Sequence, residues 1–381
     1  MNFDLTSEQK MMQKAAREYA EKAIIPVAGD YDQKNETPVE LLREMSLQGY
    51  NTMAIPEEYG GGGMDCLTTC LVIEELSRGC AGVATSALVN SLAAYPILFA
   101  GNDEQKKRFL APLSEGKFGA LCVTEPGAGS DVSAVATQLQ ATEGGYLLNG
   151  NKCFITNGSI ADIYTVFATV DRARGARGLT AVVVEKDFPG LSSGKKEDKM
   201  GIRASDTADV FFEDVFVPQE NVLGKIGRGF RTIMTTFDTS RPMVGALALG
   251  VARAAYERAV KYAQEREQFG HSISKFQLIQ QKLADMAMEI DAARMLVWRA
   301  ASLIDKKTKY VSGYSAMAKA YASDMAMRVV VEALQVFGGY GYIKEYHIEK
   351  YFRDAKIMQI YEGTNEIQRL IIANEILKGR I

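Results

Sequence analysis

The chain has 381 residues, 47% hydrophobic and 24% charged, which is typical of folded proteins and predicts two or three domains. Its net charge of −3 argues against a broad nucleic-acid-binding surface. The two histidines stand far apart and the five cysteines are irregularly spaced. We therefore predict no metal site and no Ser-His-Asp chemistry, and expect any catalysis to depend on carboxylates or a bound cofactor.

The first part of the chain is predicted to be a helical domain, residues 1–118. The segments EQKMMQKAAREYAEKAI, VELLREMSLQGY and LTTCLVIEELSRG show helical spacing and are separated by breaks rich in Gly and Pro. No apolar run approaching the ~20 residues of a membrane span is recognised, and MNFDLTSEQK lacks the pattern of a secretion signal. We expect no membrane span, and a location in the bacterial cytoplasm or, for a processed eukaryotic protein, the mitochondrial matrix.

The remaining chain divides into a β-domain and a second helical domain. Residues 119–227 contain short β-branched or aromatic segments such as IYTVFATV and LTAVVVE, which predict an antiparallel β-domain. Residues 228–381 return to helical patterning, and Leu283, Met286, Ile290, Ala293 and Val297 show the 3-4-3-4 spacing of a bundle helix. The predicted fold class is α+β.

Several short stretches have residue types suited to ligand binding. LCVTEPGAGSDVSAV combines glycines, which allow close backbone approach, with the hydroxyls of Thr124 and Ser130. Phe154 and Thr156 are two apart and so share one side of a strand, where an aromatic and a hydroxyl suit a planar ring. In YEGTNEIQRL, Glu362 lies in a predicted turn before a helix capped by Thr364 or Asn365. Each stretch also has a purely structural interpretation as a turn or a core strand.

Six motifs in order closely resemble the acyl-CoA dehydrogenase flavoprotein family, over essentially the whole chain and in its short- and medium-chain branches. CVTEPGAGSD and YEGTNEIQR are the most specific, and FITNG, FDTSRP, REQFG and QVFGGYGY support them. The resemblance implies an N-terminal helical domain, a middle antiparallel β-barrel-like domain and a C-terminal four-helix-bundle domain. It also implies a homotetramer built as a dimer of dimers.

The resemblance implies FAD as the cofactor. The implied contacts are Cys122, Val123, Thr124, Ser130, Phe154, Ile155, Thr156, Arg266, Gln268, Phe269, Phe276, Gln277, Gln335, Val336, Gly338, Gly339, Thr364 and Glu366. Phe154 and Thr156 match the pair that covers the flavin ring. The positions from Arg266 to Gly339 match groups that hold FAD across a subunit boundary.

Glu362 matches the family's catalytic base. The implied reaction is α,β-dehydrogenation of an acyl-CoA to the trans-2-enoyl-CoA, with a hydride passing to the flavin and electrons then passing to electron-transferring flavoprotein. The implied substrate contacts are Ser130, Asp238, Arg241, Tyr361 and Gly363. A helix N-terminus favours a carboxylate by about 0.3–1 kcal/mol, whereas burial can raise its pKa by up to ~3–5 units. We therefore expect burial to dominate at Glu362 once substrate is bound.

Variation within the family leaves alternatives open. Some branched-chain members place the base immediately before the arginine that matches Arg241, and here that position is Ser240, which cannot act as a carboxylate base. Retention of Glu362 separates the chain from a diene-forming cyclic branch. The resemblance therefore favours a straight short or medium acyl chain. A branched or cyclic acyl-CoA, an oxidase reaction, a nitroalkane substrate and a non-catalytic or nucleic-acid-binding role are the alternatives.

Overall fold

The N-terminal part of the structure is helical. The computed structural model describes residues 4–381. Its first helices are α1 (Ser7–Tyr19), α2 (Ile25–Lys34), α3 (Val39–Leu47), α4 (Cys66–Gly79), α5 (Ala81–Ala100) and α6 (Asp103–Ser114), with a π-helical segment, Ala20–Ile24, joining α1 to α2. Helix α1 begins at a capping box, because Thr6 accepts from the Gln9 amide and the Gln9 side chain accepts from the Thr6 amide. The three helical segments predicted here are confirmed.

Helix α5 contradicts the expectation that no long apolar run is present. It has 20 residues and no charged side chain, and by length and composition it could cross a membrane. However, 83% of its most apolar window is buried inside the protein, where α5 packs against α4, α6, α7 and β1. This burial explains the composition, because a helix that is apolar on all sides suits a protein core as well as a membrane.

The middle part is one eight-stranded sheet. Its strands are β1 (Gly119–Cys122), β2 (Gln138–Thr142), β3 (Gly145–Thr156), β4 (Ile163–Thr169), β5 (Leu179–Glu185), β6 (Leu191–Ser193), β7 (Thr207–Pro218) and β8 (Val222–Leu223). The order is β6-β7-β3-β2-β4-β5-β8, with β1 beside β4. Most pairs are antiparallel as predicted, but β4 pairs in parallel with β1 and, at one position, with β2. The β2–β3 hairpin lies between β1 and β4 in the chain, which gives the long connection that a parallel pair needs.

The C-terminal part is a helical bundle. Its elements are α7 (Gly229–Glu265), a hairpin of β9 (Glu267–Gln268) and β10 (His271–Ser272), α8 (Gln277–Asp305), α9 (Ser312–Phe337), α10 (Ile348–Ile357) and α11 (Asn365–Leu377). Of the predicted stripe, Met286, Ile290, Ala293 and Val297 are buried, and Leu283 packs half-buried against the same core. The long helix α7 packs on α8, α9 and α4, so both helical regions share one core. The predicted α+β fold is confirmed.

Candidate active site

Glu362 lies in the turn between α10 and α11. Of the two predicted caps, Thr364 is the one that caps α11, because its Oγ1 accepts a 3.4 Å hydrogen bond from the Ile367 amide. The φ of Glu362 is 55°, a value that residues with a side chain rarely adopt, and the next residue, Gly363, has φ 88°. A strained non-glycine residue in a tight turn is common where a side chain must be held for function.

The Glu362 carboxylate is surrounded by donors and positive charge inside the protein. Ser240 on α7 donates a 2.7 Å hydrogen bond from Oγ to Oε2 of Glu362. Burial raises the pKa of Glu362, while the Ser240 hydrogen bond and the charges of Arg241 and Lys319 act in the opposite direction. Burial prevails even without substrate, so the carboxyl group is a stronger base than a glutamate in water.

The backbone carbonyl groups of this turn accept hydrogen bonds from side chains of the protein. Gln368 Nε2 donates to the carbonyl oxygens of Glu362, at 3.1 Å, and of Gly363, at 2.9 Å. Lys319 Nζ also donates to the Gly363 carbonyl, at 2.8 Å. Among residues 4–381, no acceptor takes a hydrogen bond from the backbone N–H of Glu362. The turn therefore has a free donor next to its carboxylate, which is suited to a ligand carbonyl.

A largely buried ion pair on α7, Asp238–Arg241, lies on either side of Ser240 in the sequence. Arg241 Nη1 is 2.6 Å from Asp238 Oδ1, and Ser312 donates to the other Asp238 oxygen. Burial raises the pKa of Asp238, although Arg241 and Ser312 lower it. The Nε of Arg241 is buried without a partner among the described residues. An unpaired guanidinium N–H in the interior is costly, so this group is suited to a ligand oxygen, and its role in substrate binding stays a prediction.

The 122–131 loop is supported by a second buried ion pair, Glu125–Lys152. Lys152 on β3 is fully buried and donates to Glu125 Oε1 at 2.6 Å, to the Val123 carbonyl at 3.0 Å and to the Phe167 carbonyl at 2.6 Å. The Glu125 carboxylate also accepts from the amides of residues 136 and 137, and the Lys152 charge helps to hold its pKa below the usual range. These bonds fix the loop from beneath.

Phe154 is turned outward by a β-bulge. The register of β3 against β7 shifts between Lys152 and Ile155, and Phe154 lies within that shift with φ 58°. Its side chain is 69% exposed, whereas Ile155 is buried and Thr156 is half-buried. Bulges commonly re-aim a side chain next to a binding site. Exposure of the Phe154 ring to water is unfavourable for the folded chain, which suggests that a ligand covers the ring.

A groove of about 540 Å³ lies at the other end of α7. Arg266, Gln268, Val336, Gly338 and Gly339, all of them predicted cofactor contacts, help to line it. Every lining residue belongs to the C-terminal helical part, and none comes from the sheet. The groove and the loop with Phe154 are therefore separate surfaces of one chain, and a ligand that used both would need two chains or a long reach.

The other predicted contacts near this groove are exposed or half-buried. Phe269, with φ 54°, is 89% exposed and meets the Phe276 ring edge-on at a centroid distance of 5.9 Å. Gln277 and Gln335 are exposed. Phe269 follows the residues of β9 in a tight hairpin turn, which explains how it projects so far from the surface.

Four predicted cofactor contacts have buried side chains, and their roles stay predictions. Cys122 and Ile155 belong to the core of the sheet, Val123 packs in a second core cluster with Ala128, and Val336 packs in the helical core. Because Cys122 and Ile155 are almost completely buried, any contact that these two make with a cofactor must use backbone atoms. Ser130 and Glu366 are exposed, and Thr124, Thr364 and Tyr361 are half-buried.

The surfaces fit a flavin nucleotide. A methyl group added at Gly127, Gly129, Gly338 or Gly339 would meet nothing within 4 Å, so the backbone is open to a ligand at both places. Exposed amides and hydroxyls in the 122–131 loop suit phosphate oxygens, and Phe154 suits a flat ring. Arg266 adds a cation at the groove, with its guanidinium 5.4 Å from the centre of the Tyr340 ring.

Sequence reasoning missed the lysines that hold both sites. Lys152 and Lys319 are buried, and neither was singled out. The only signal for Lys319 was a lysine within the apolar stretch AMAKAYA. Its partners lie 44 and 46 positions away, at Gly363 and Asn365. Ser240 was noted only as a position that lacks a carboxylate, and not as a partner of Glu362.

Comparisons with known families match almost all of the chain. The family description "Acyl-CoA dehydrogenase, N-terminal domain" matches residues 6–117. The middle domain of the same family matches residues 120–215, and its C-terminal domain matches residues 227–377. These boundaries lie close to the changes of pattern along the chain.

Individual relatives are similar along their full length. The mitochondrial short-chain specific acyl-CoA dehydrogenase of Rattus norvegicus is 44% identical and aligns over 99% of this chain and 92% of its own. The butyryl-CoA dehydrogenase structure from Megasphaera elsdenii has a TM-score of 0.96 at 46% identity, covering 99% and 100% of the two chains. A chain solved in work on the electron transferring flavoprotein of Acidaminococcus fermentans has a TM-score of 0.97 at 47% identity, with the same coverage.

Proposed function

Because the chain belongs to the acyl-CoA dehydrogenase family, we propose that it oxidises short-chain saturated acyl-CoA thioesters, such as butyryl-CoA, to trans-2-enoyl-CoA with FAD. The sequence-based prediction of an acyl-CoA dehydrogenase is confirmed. The single observation that carries the proposal is the turn of Glu362, where a half-buried carboxylate and a free backbone N–H occur on one residue.

Glu362 would act on the α-carbon of the thioester. Its carboxylate accepts the α-proton, and its backbone N–H donates to the thioester carbonyl, where negative charge accumulates as the proton leaves. Gln368 and Lys319 hold the carbonyl groups of the turn, so the N–H is oriented before substrate arrives. Gly363 permits this turn, because its φ of 88° favours glycine and a Cβ there would lie 2.7 Å from Gln368 Nε2. Bound FAD would supply the hydride acceptor.

Two surfaces of the chain would hold the FAD. Loop 122–131 with Phe154 and Thr156 provides one surface, and the groove with Arg266 and Gly338 provides the other. Because the groove draws no residue from the sheet, we propose that each cofactor contacts the sheet of one subunit and the groove of another. This arrangement supports an oligomer, and the predicted homotetramer satisfies it.

The interior next to Glu362 supports a short acyl chain. Met243 lies one helical turn from Ser240, on the same face of α7. The Tyr95 hydroxyl donates a 3.4 Å hydrogen bond to Met243 Sδ, and both side chains are buried. Two bulky residues therefore fill the space one turn from the contact between Ser240 and Glu362. The names of the rat and Megasphaera relatives support the same substrate class.

Electron-transferring flavoprotein is the proposed electron acceptor. The chain solved with work on that protein from Acidaminococcus is among the most similar structures. Bacterial and mitochondrial relatives both exist, and we propose the bacterial cytoplasm as the location of this chain.

The test is product identification. Purified protein with FAD would be incubated with butyryl-, hexanoyl-, octanoyl- and isovaleryl-CoA, with electron-transferring flavoprotein as acceptor, and the thioesters would be analysed by mass spectrometry. We expect loss of two hydrogens from butyryl-CoA to be fastest, with Glu362→Gln as the inactive control. Faster oxidation of isovaleryl-CoA would replace the straight-chain proposal with a branched-chain one.

A further inference from the structure

Lys319 is a buried lysine next to the proposed active site. It lies on α9, and its side chain is 0% exposed. Its Nζ donates to the Gly363 carbonyl at 2.8 Å and to Asn365 Oδ1 at 2.9 Å. Both acceptors belong to the segment that follows Glu362, so this one amine connects α9 to the catalytic turn.

Lys319 is a cationic member of a polar network beneath the turn, which also contains the Asp324 carboxylate. Asn365 also donates to Ser323 Oγ at 2.8 Å and to Asp324 Oδ1 at 2.7 Å. The Gly363 carbonyl has a second donor in Gln368. The Gly363 carbonyl thus has two donors, the neutral Gln368 amide and Lys319. A neutral side chain there would avoid the cost of burying a charge, so the lysine is not explained by stability alone.

We propose that Lys319 is a positioning residue for the reaction of Glu362: it holds the turn against α9 and keeps a positive charge beneath the carboxylate. This inference rests on the proposed function. The charge acts before the proton is taken, because it stabilises the ionised form of Glu362, which is the form that can accept a proton. The amine is not placed in contact with substrate, so it acts through Glu362.

The charges around Lys319 are consistent with this role. Burial lowers the pKa of Lys319 to about 7, Arg241 lowers it as well, and Glu362, Asp324 and Glu366 raise it. Around Glu362 the facing groups are Ser240, Arg241 and Lys319. Lys319 is therefore cationic at mildly acidic pH, where an exposed glutamate would be close to protonation. A neutral amine still has two hydrogens, enough for both acceptors, so the turn stays anchored at higher pH.

The variant Lys319→Met separates the charge from the fold. Methionine has a similar length. The Gly363 carbonyl keeps Gln368 as a donor, and the Ser323 hydroxyl, which lies 2.8 Å from the Lys319 carbonyl, is also 3.2 Å from Asn365 Oδ1 and can turn to it. The melting temperature of this variant is expected to equal that of the parent or to be slightly higher. Ser323→Ala is the matched control, since it weakens the same network and leaves the charge in place. Lys319→Arg keeps the charge and tests rescue.

The measurement is the pH dependence of kcat/KM for butyryl-CoA from pH 5 to 9, on FAD-loaded protein, together with the melting temperature. Loss of the charge raises the pKa of Glu362, so in Lys319→Met the acid limb moves up by about one pH unit, with about tenfold lower kcat/KM on that limb. Ser323→Ala keeps the parental limb, and Lys319→Arg returns towards it.

Two results would overturn the inference. An unshifted acid limb in Lys319→Met would show that the charge does not act on Glu362. An equal shift in Ser323→Ala would show that loosening of the turn, and not the charge, is responsible. If Lys319→Arg does not fold, the Met and Ala variants still decide the question. If the parent protein oxidises no thioester at any pH, the proposed function is contradicted. That result differs from an unshifted acid limb in Lys319→Met, which contradicts only the role of Lys319.

Discussion

Ser240 Oγ donates a 2.7 Å hydrogen bond to Oε2 of Glu362, and so links α7 to the turn before α11. The hydrogen bond stabilises the ionised carboxylate, while burial of the same group destabilises it. The result is a carboxyl group with a raised pKa that is still held in one orientation. A catalytic base needs both properties, because a carboxylate that does not point at the substrate proton cannot accept it, however high its pKa.

Removal of this hydrogen bond is expected to shift the pH profile. In Ser240→Ala the carboxylate loses a donor, so the pKa of Glu362 rises further and the acid limb of kcat/KM moves up by about one pH unit. At high pH, where Glu362 is ionised in both proteins, the two rates should converge. Thr235→Ala is the control, because the Thr235 hydroxyl donates to the Arg231 carbonyl of its own helix and to no other group within residues 4–381. A uniform loss of rate at every pH would contradict this explanation.

Replacement of the proposed base, Glu362, is expected to slow oxidation strongly. Glu362→Gln keeps the size of the side chain and its bond to Ser240 but cannot accept the α-proton, so kcat should fall by about 10²–10⁴-fold. FAD content and thermal stability should be retained. Glu143→Gln, in the exposed turn between β2 and β3, should match the parent. Activity above a tenth of the parental rate in Glu362→Gln would assign the base elsewhere.

Loss of the lysine beneath the 122–131 loop is expected to weaken both the fold and FAD binding. Lys152→Met leaves Glu125 buried without its cation, which should cost about 3–5 kcal/mol in the free energy of unfolding. The loop would also lose the hydrogen bond from Lys152 to the Val123 carbonyl, so the dissociation constant for FAD should rise. Denaturation and FAD titration check the two effects, with exposed Lys186→Met as control. The double variant Lys152→Met with Glu125→Gln should regain part of the lost free energy of unfolding. If it regains none, the loss in Lys152→Met does not come from the unpaired Glu125 carboxylate.

Mixed oligomers test whether two subunits share each FAD. Phe154→Asp disables the sheet surface and Arg266→Glu disables the groove, so each variant alone should bind FAD poorly. When both chains are expressed together, a mixed pair has one site with two intact surfaces and one with none. FAD should therefore return to about half of the sites in mixed pairs. If mixing restores no FAD, both surfaces must belong to one chain's site.

The sequence was most informative where a regular period decides the structure. The buried stripe of α8, from Met286 to Val297, follows directly from 3-4-3-4 spacing. Thr364 as helix cap was also readable, because its partner is three residues away. The predicted helix start at Thr364 or Asn365 placed Glu362 in a turn, and the family motifs indicated the class of reaction.

The rest depends on contacts that no local pattern contains. Phe154 points outward because β3 and β7 lose register at a bulge, and a period-2 reading cannot show a bulge. Ser240 and Glu362 are 122 positions apart, so their hydrogen bond exists only once α7 and the turn before α11 have come together. Lys152 and Lys319 are buried for the same reason, since their acceptors come from distant segments.

Anaerobic titration of the FAD-loaded protein with saturated acyl-CoAs of increasing length tests the central claim most directly, because it isolates the step that Glu362 is proposed to begin. The flavin absorbance should bleach with butyryl-CoA at stoichiometric concentration, bleach less with longer chains, and stay unchanged in Glu362→Gln. A bound flavin that no saturated thioester reduces would contradict the proposed reaction.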